Sequence, residues 1–65
     1  MSPINLITND DGTYTLEYFG RVVGYIKRSI DFTGKAFFRG ISVQGSICYA
    51  NTLDDARSGL LELTR

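Results

Sequence analysis

The sequence predicts an α+β domain: an antiparallel β-meander of three to five short strands with one carboxy-terminal α-helix packed on one face. Three observations lead there. Short runs of β-branched and aromatic residues alternate with polar ones and are cut by Gly-containing turns. After Ala50 the apolar spacing changes from the period of a strand to that of a helix. The chain has 65 residues, 43% of them apolar, with four Phe and four Tyr. That is enough for one small core and no more, so residues 1–65 are expected to form a single compact domain.

Each element has its own justification. Ile4 to Thr8 is a β-rich run. Asn9-Asp10-Asp11-Gly12 reads as a turn, because Asx side chains bond their own backbone and Gly accepts unusual dihedrals. Thr13 to Phe19 alternates strictly and is the second strand. Gly20-Arg21 places Gly first in a two-residue hairpin turn, with Val22 to Arg28 as the return strand. Asp31-Phe32-Thr33-Gly34 is the next turn and Lys35 to Val43 the next strand. Gln44-Gly45 turns the chain into a short strand, Ser46 to Tyr49. Thr52 then suits a helix N-cap, with Asp55 three residues on as in a capping box. Asp54 and Asp55 in the first turn and Arg65 in the last favour the helix dipole. Leu53, Ala56, Leu60 and Leu63 form one apolar stripe. Gly59 costs the helix about 1 kcal/mol relative to Ala, so the helix depends on packing against the sheet.

A turn at Gly20-Arg21 would pair Tyr18 with Val23, Leu16 with Tyr25 and Tyr14 with Lys27. In that register Tyr14, Leu16, Tyr18, Val23 and Tyr25 share the more apolar face, which is expected to meet the helix. A one-residue slip would reverse the assignment.

The residues that are missing narrow the function. The chain contains no His, no Trp and a single Cys. It therefore lacks the commonest general base and metal ligand, and a thiolate-pair zinc site cannot form. No phosphate-binding loop or nucleophile elbow is present, and a chain this short has little room for a closed pocket. These absences argue against an enzyme, a metal centre or a cofactor. The isolated Cys48 makes no internal disulfide and reads as a small packed hydrophobe. No apolar run approaches the ~20 residues of a membrane span, and Met1-Ser2-Pro3 opens no secretory signal. A cytoplasmic protein is expected, one that works by presenting a surface.

Three surfaces are candidates. Tyr14, Tyr18 and Tyr25 either line the sheet core or form a partner-binding stripe, since Tyr offers rigid contact area at low entropic cost. Asp10-Asp11 and Asp54-Asp55 are turn and helix-start chemistry, or, with Glu17, Asp31 and Glu62, carboxylates that present phosphate-like charge to a basic groove. Arg21, Lys27, Arg28, Lys35 and Arg39, with Phe37 and Phe38 between the last two, are a solvated sheet face or a stacking and charge platform for single-stranded nucleic acid. The formal net charge is zero, with seven basic and seven acidic residues. Duplex DNA binding usually carries a basic excess, so direct DNA binding is the weaker expectation.

Two resemblances bear on function. Tyr49-Ala50-Asn51-Thr52-Leu53-Asp54-Asp55-Ala56-Arg57 resembles the strand-to-helix passage of phage integrase arm-binding domains and of HicB-type antitoxins. That likeness implies a small DNA-binding or regulatory module. The whole format, together with the opening Ile4 to Tyr14, resembles small phage-encoded anti-CRISPR proteins that inhibit type I interference complexes. That likeness implies a non-enzymatic inhibitor in the bacterial host cytoplasm, which binds the complex as a DNA mimic and blocks target recognition. Asp10, Asp11, Glu17, Asp31, Asp54 and Asp55, with Tyr14, Tyr18 and Tyr25, are then the expected contact residues.

Overall fold

In the computed structural model, which describes residues 3–63, five antiparallel strands form one open sheet and one helix packs on it. The strands are β1 (Ile4–Thr8), β2 (Thr13–Tyr18), β3 (Arg21–Ile30), β4 (Ala36–Ser42) and β5 (Ile47–Ala50), and the helix is α1 (Leu53–Leu63). Their order across the sheet follows the chain, β1-β2-β3-β4-β5. Met1, Ser2, Thr64 and Arg65 lie outside the described residues, and with them the expected dipole contact of Arg65.

Three of the four hairpin loops are built alike. Residues 9–13, 31–35 and 42–46 each begin with a short polar residue (Asn9, Asp31 or Ser42) and place Gly three positions later. Each Gly has a positive φ, 86° at Gly12, 85° at Gly34 and 95° at Gly45, where an L side chain would be strained. In each, the Gly N–H donates to the carbonyl of the opening residue, at 3.1, 3.0 and 2.9 Å. The opening residue's own N–H donates to the carbonyl four residues on, at 2.8, 3.0 and 2.8 Å. In two of them the opening side chain, Asp31 or Ser42, also accepts from backbone N–H groups of the bend; the Asn9 amide instead donates to the Thr13 and Thr15 hydroxyls, at 3.0 and 2.9 Å. The Ser42 hydroxyl accepts from the N–H groups of Gln44 and Ser46, which explains why a Ser is buried there.

The β2–β3 turn differs from the sequence expectation. It sits at Phe19-Gly20, with φ of 52° and 78°, rather than at Gly20-Arg21. Two successive positive φ values make this a type I′ turn, whose twist matches that of the flanking strands, with Gly20 second rather than first in the turn. Tyr18 therefore pairs with Arg21 and Glu17 with Val22. A bulge then leaves Val23 as an extra residue, and Leu16 pairs with Gly24, Thr15 with Tyr25, Tyr14 with Ile26 and Thr13 with Lys27. The expected five-residue face is corrected accordingly. Tyr14 and Val23 pack against the core beside Leu16, but Tyr25 lies on the opposite side of the sheet.

The core forms where α1 crosses β3, β4 and β5. Leu16, Ile26, Ala56 and Leu60 are completely buried, and Leu53, Leu63, Phe38 and Cys48 pack around them. The predicted helical stripe is thus the buried one. Thr52 caps the helix, its hydroxyl accepting the Asp55 N–H at 3.1 Å. Two glycines set how closely the helix can approach. A Cβ on Gly24 would lie 2.5 Å from the Ile41 carbonyl oxygen and 2.8 Å from a Leu60 methyl; one on Gly40 would lie 2.8 Å from the Cys48 sulfur. Leu60 occupies the space that these missing side chains leave. Cys48 sits between sheet and helix, with its thiol 3.9 Å from the Ala56 carbonyl oxygen.

Candidate interaction surfaces

The meander sends its loops alternately to two ends of the sheet. The β1–β2 loop, the β3–β4 loop and the β5–α1 junction all emerge at the same end. That end carries Asp10, Asp11, Asp31, Asp54 and Asp55, five of the seven acidic residues in the chain. These positions are scattered along the sequence, and strand alternation gathers them. Glu17 is not among them, because it stands on β2 toward the other end, opposite Val22.

The carboxylates at this end fall into two groups. Asp11 accepts from the Thr13 N–H at 3.0 Å and the Thr13 hydroxyl at 2.6 Å. Asp31 accepts from the Thr33 hydroxyl at 2.5 Å and from the N–H groups of Thr33 and Lys35 at 2.9 and 3.0 Å. The Thr13 hydroxyl bond holds the Asp11 carboxyl below the usual Asp range, aided by the backbone donor and, more weakly, by the charge of Lys27. Asp31 is lowered in the same way, first by the Thr33 hydroxyl and then by the Lys35 N–H. Asp54 pairs with Arg57 one turn along the helix, at 3.3 Å in an exposed position. Among the described residues, Asp10 and Asp55 are exposed carboxylates with no turn-holding bond and no ion pair.

One residue at this end escaped the sequence reading. Phe32, at the tip of the β3–β4 hairpin, is 101% exposed, so no other part of the chain covers its ring. The sequence places it in the turn Asp31-Phe32-Thr33-Gly34, where it was not weighed as a contact residue. Its position second in a tight turn was the available signal, since neither side chain at the crown of such a turn can reach the sheet.

The three tyrosines are not brought together. Tyr14 is half-buried on the helix side; Tyr18 is exposed near the β2–β3 turn, its ring edge-on to Phe19 at 4.6 Å; Tyr25 is exposed on the far face. That far face, the side without the helix, is apolar along its middle. Ile7, Thr15, Tyr25, Ile41 and Ile47 are successive register partners and form one row across all five strands. The neighbouring row holds Thr13, Lys27, Arg39 and Tyr49. Beyond it stands Phe37, whose ring is 6.1 Å from that of Tyr49. Of the five basic residues in the middle of the chain, only Lys27 and Arg39 lie on this face among the strand residues paired there; Arg28 pairs with Phe38 on the helix side.

At the end away from the carboxylates, Arg21, Val22, Val23, Val43 and Gln44 line a half-open cleft of about 260 Å³. Its lining offers a guanidinium and an amide but no nucleophile or general base. No described helix is long and apolar enough to cross a membrane. Compared with known protein families, curated proteins and solved structures, the chain matches none.

Proposed function

We propose that this chain is a non-enzymatic binding protein whose acidic end docks on a nucleic-acid-binding bacterial complex and occupies a cationic site meant for phosphates. The observation that carries this reading is the gathering of five carboxylates from three separate segments at one end of the sheet, around an uncovered Phe32. Asp11 and Asp31 have carboxyl pKa values below the ordinary Asp range, because hydroxyl and backbone donors stabilise their charged forms. The loops that hold them are fixed by paired backbone hydrogen bonds, so little conformational freedom is lost on binding. Phe32 supplies the aromatic anchor that acidic groups alone lack, since charged rims steer and orient more than they hold. The likeness to anti-CRISPR proteins makes a type I interference complex the target to test.

The experiment is competition between this protein and target DNA for the purified complex. Asp10→Lys with Asp55→Lys leaves the turn-holding Asp11 and Asp31 in place and is expected to slow association severalfold while the fold survives. Phe32→Ala is expected to shorten the lifetime of the complex. A folded triple variant that competes as well as the parent would refute the acidic-end mechanism.

One observation favours a second reading, direct nucleic-acid binding by the helix-free face. Lys27 and Arg39 are register partners there, with Tyr25, Tyr49 and Phe37 nearby as stacking surfaces. It would show as oligonucleotide binding that weakens with salt, with a slope set by about two phosphate contacts.

A further inference from the structure

We propose that the helix-free face is a self-association surface, covered in solution by the same face of a second copy of this chain. The two sheets stack about a two-fold axis that runs along the row Ile7–Thr15–Tyr25–Ile41–Ile47. This inference is independent of the acidic-end reading, which uses a different part of the molecule.

The first support is how little the fold buries by itself. Only four hydrophobic side chains are fully buried among the described residues, while Ile7, Tyr25, Ile41 and Ile47 stay exposed along one row without a charge in it. Domains below ~70 residues usually need a supplement to their core, from disulfides, metals or oligomerisation. A chain with one Cys and no His has little access to the first two.

The second support is size. The two longer dimensions of the molecule are 37 and 24 Å, and five strands at about 4.8 Å spacing account for the shorter one. A face of that extent suffices for a standard interface, which takes about 800 Å² from each partner. Zero net charge puts no general repulsion between copies.

The third support is the charge pattern, which selects both the partner and the axis. Lys27 and Arg39 lie on one side of the apolar row and Glu17 on the other. A two-fold along the row exchanges these sides. It brings Glu17 of each copy within one strand spacing of Lys27 of the other, twice per dimer. A two-fold along β3 would instead set Lys27 on Lys27. The face is therefore complementary to itself in one arrangement, as an isologous interface requires, with two aligned antiparallel sheets about 10 Å apart.

Sedimentation equilibrium of the intact chain tests this, from about 1 µM to about 1 mM. The expected result is a concentration-dependent rise from 7.2 kDa to twice that mass. Ile41→Lys, which puts a charge inside the apolar row on β4, should raise the dimer dissociation constant by about 30-fold or more, as loss of a buried contact does. Glu17→Lys alone should raise it about fivefold, and adding Lys27→Glu should restore it. A single-chain mass throughout the range overturns the proposal, and so does a charge swap that fails to restore association. A monomer that binds oligothymidylate with a change in tyrosine fluorescence assigns the face to nucleic acid and overturns it too. If Ile41→Lys does not fold, the mass of the parent chain and the charge swap still decide.

Discussion

Truncating Leu60 to Ala should take away much of the stability of this domain. The side chain is completely buried, and it fills the space beside Gly24 and Gly40, where both glycines lack a Cβ. The substitution removes three carbons from an apolar site, about 2.4 kcal/mol at ~0.8 kcal/mol per buried CH₂. A cavity term adds to this, because the sheet beneath cannot collapse inward. Gly24 has no side chain to enter the vacated space, where the Leu60 methyls lie 2.8 and 2.9 Å from the position a Gly24 Cβ would take. A total of about 3–4 kcal/mol follows, within the ~2–5 kcal/mol seen for such changes. A domain of this size has on the order of 5 kcal/mol to lose. Urea unfolding followed by circular dichroism, at one fixed protein concentration, measures it directly. The midpoint should fall by more than half while the slope stays the same. A loss below about 1 kcal/mol with an unchanged slope would mean that α1 does not seat Leu60 against the glycine pair.

Three further outcomes are expected. Gly40→Ala should destabilise, because its Cβ would lie 2.8 Å from the Cys48 sulfur; Cys48→Ala should be less harmful in that background than in the parent, a positive coupling visible in a double-mutant cycle of urea midpoints. Gly59→Ala should stabilise by up to about 1 kcal/mol in the same assay, since helix propensity improves and the new Cβ meets Cys48 at an ordinary 3.5 Å. The folded-state pKa values of Asp11 and Asp31 are lowered, so their contribution is present above the ordinary Asp range and is lost as pH falls through the folded values. Asp31→Asn, which keeps a carbonyl to accept the turn's N–H groups, should flatten the acid limb of a stability–pH profile; an unchanged limb would contradict the assignment.

Local chemistry by itself determined the meander, its turns and the helix. Asn9, Asp31 and Ser42 each precede a Gly by three residues, and such a turn forms from bonds within five residues, so it is legible in a window of that width. The helical stripe of Ala56 and Leu60 and the Thr52 cap are local in the same sense. The register of β2 against β3 was not. It turned on whether Phe19 or Arg21 joined Gly20 in the turn and on a bulge at Val23, and composition alone does not choose between them. That choice moved Tyr25 from the expected core to the bare face. The inner side of β4 was misleading for another reason. Its small residues, Gly40 and Ser42, face the helix because Leu60 needs the room, while the bulkier Ile41 points away. A size pattern read from the strand alone gives the reverse. Nor could the sequence show that Asp10, Asp11, Asp31, Asp54 and Asp55 share one end, since that placement comes from the alternation of five strands. Turns and caps are decided by neighbours in the chain; faces, ends and the space for Leu60 are decided by residues that meet only after folding.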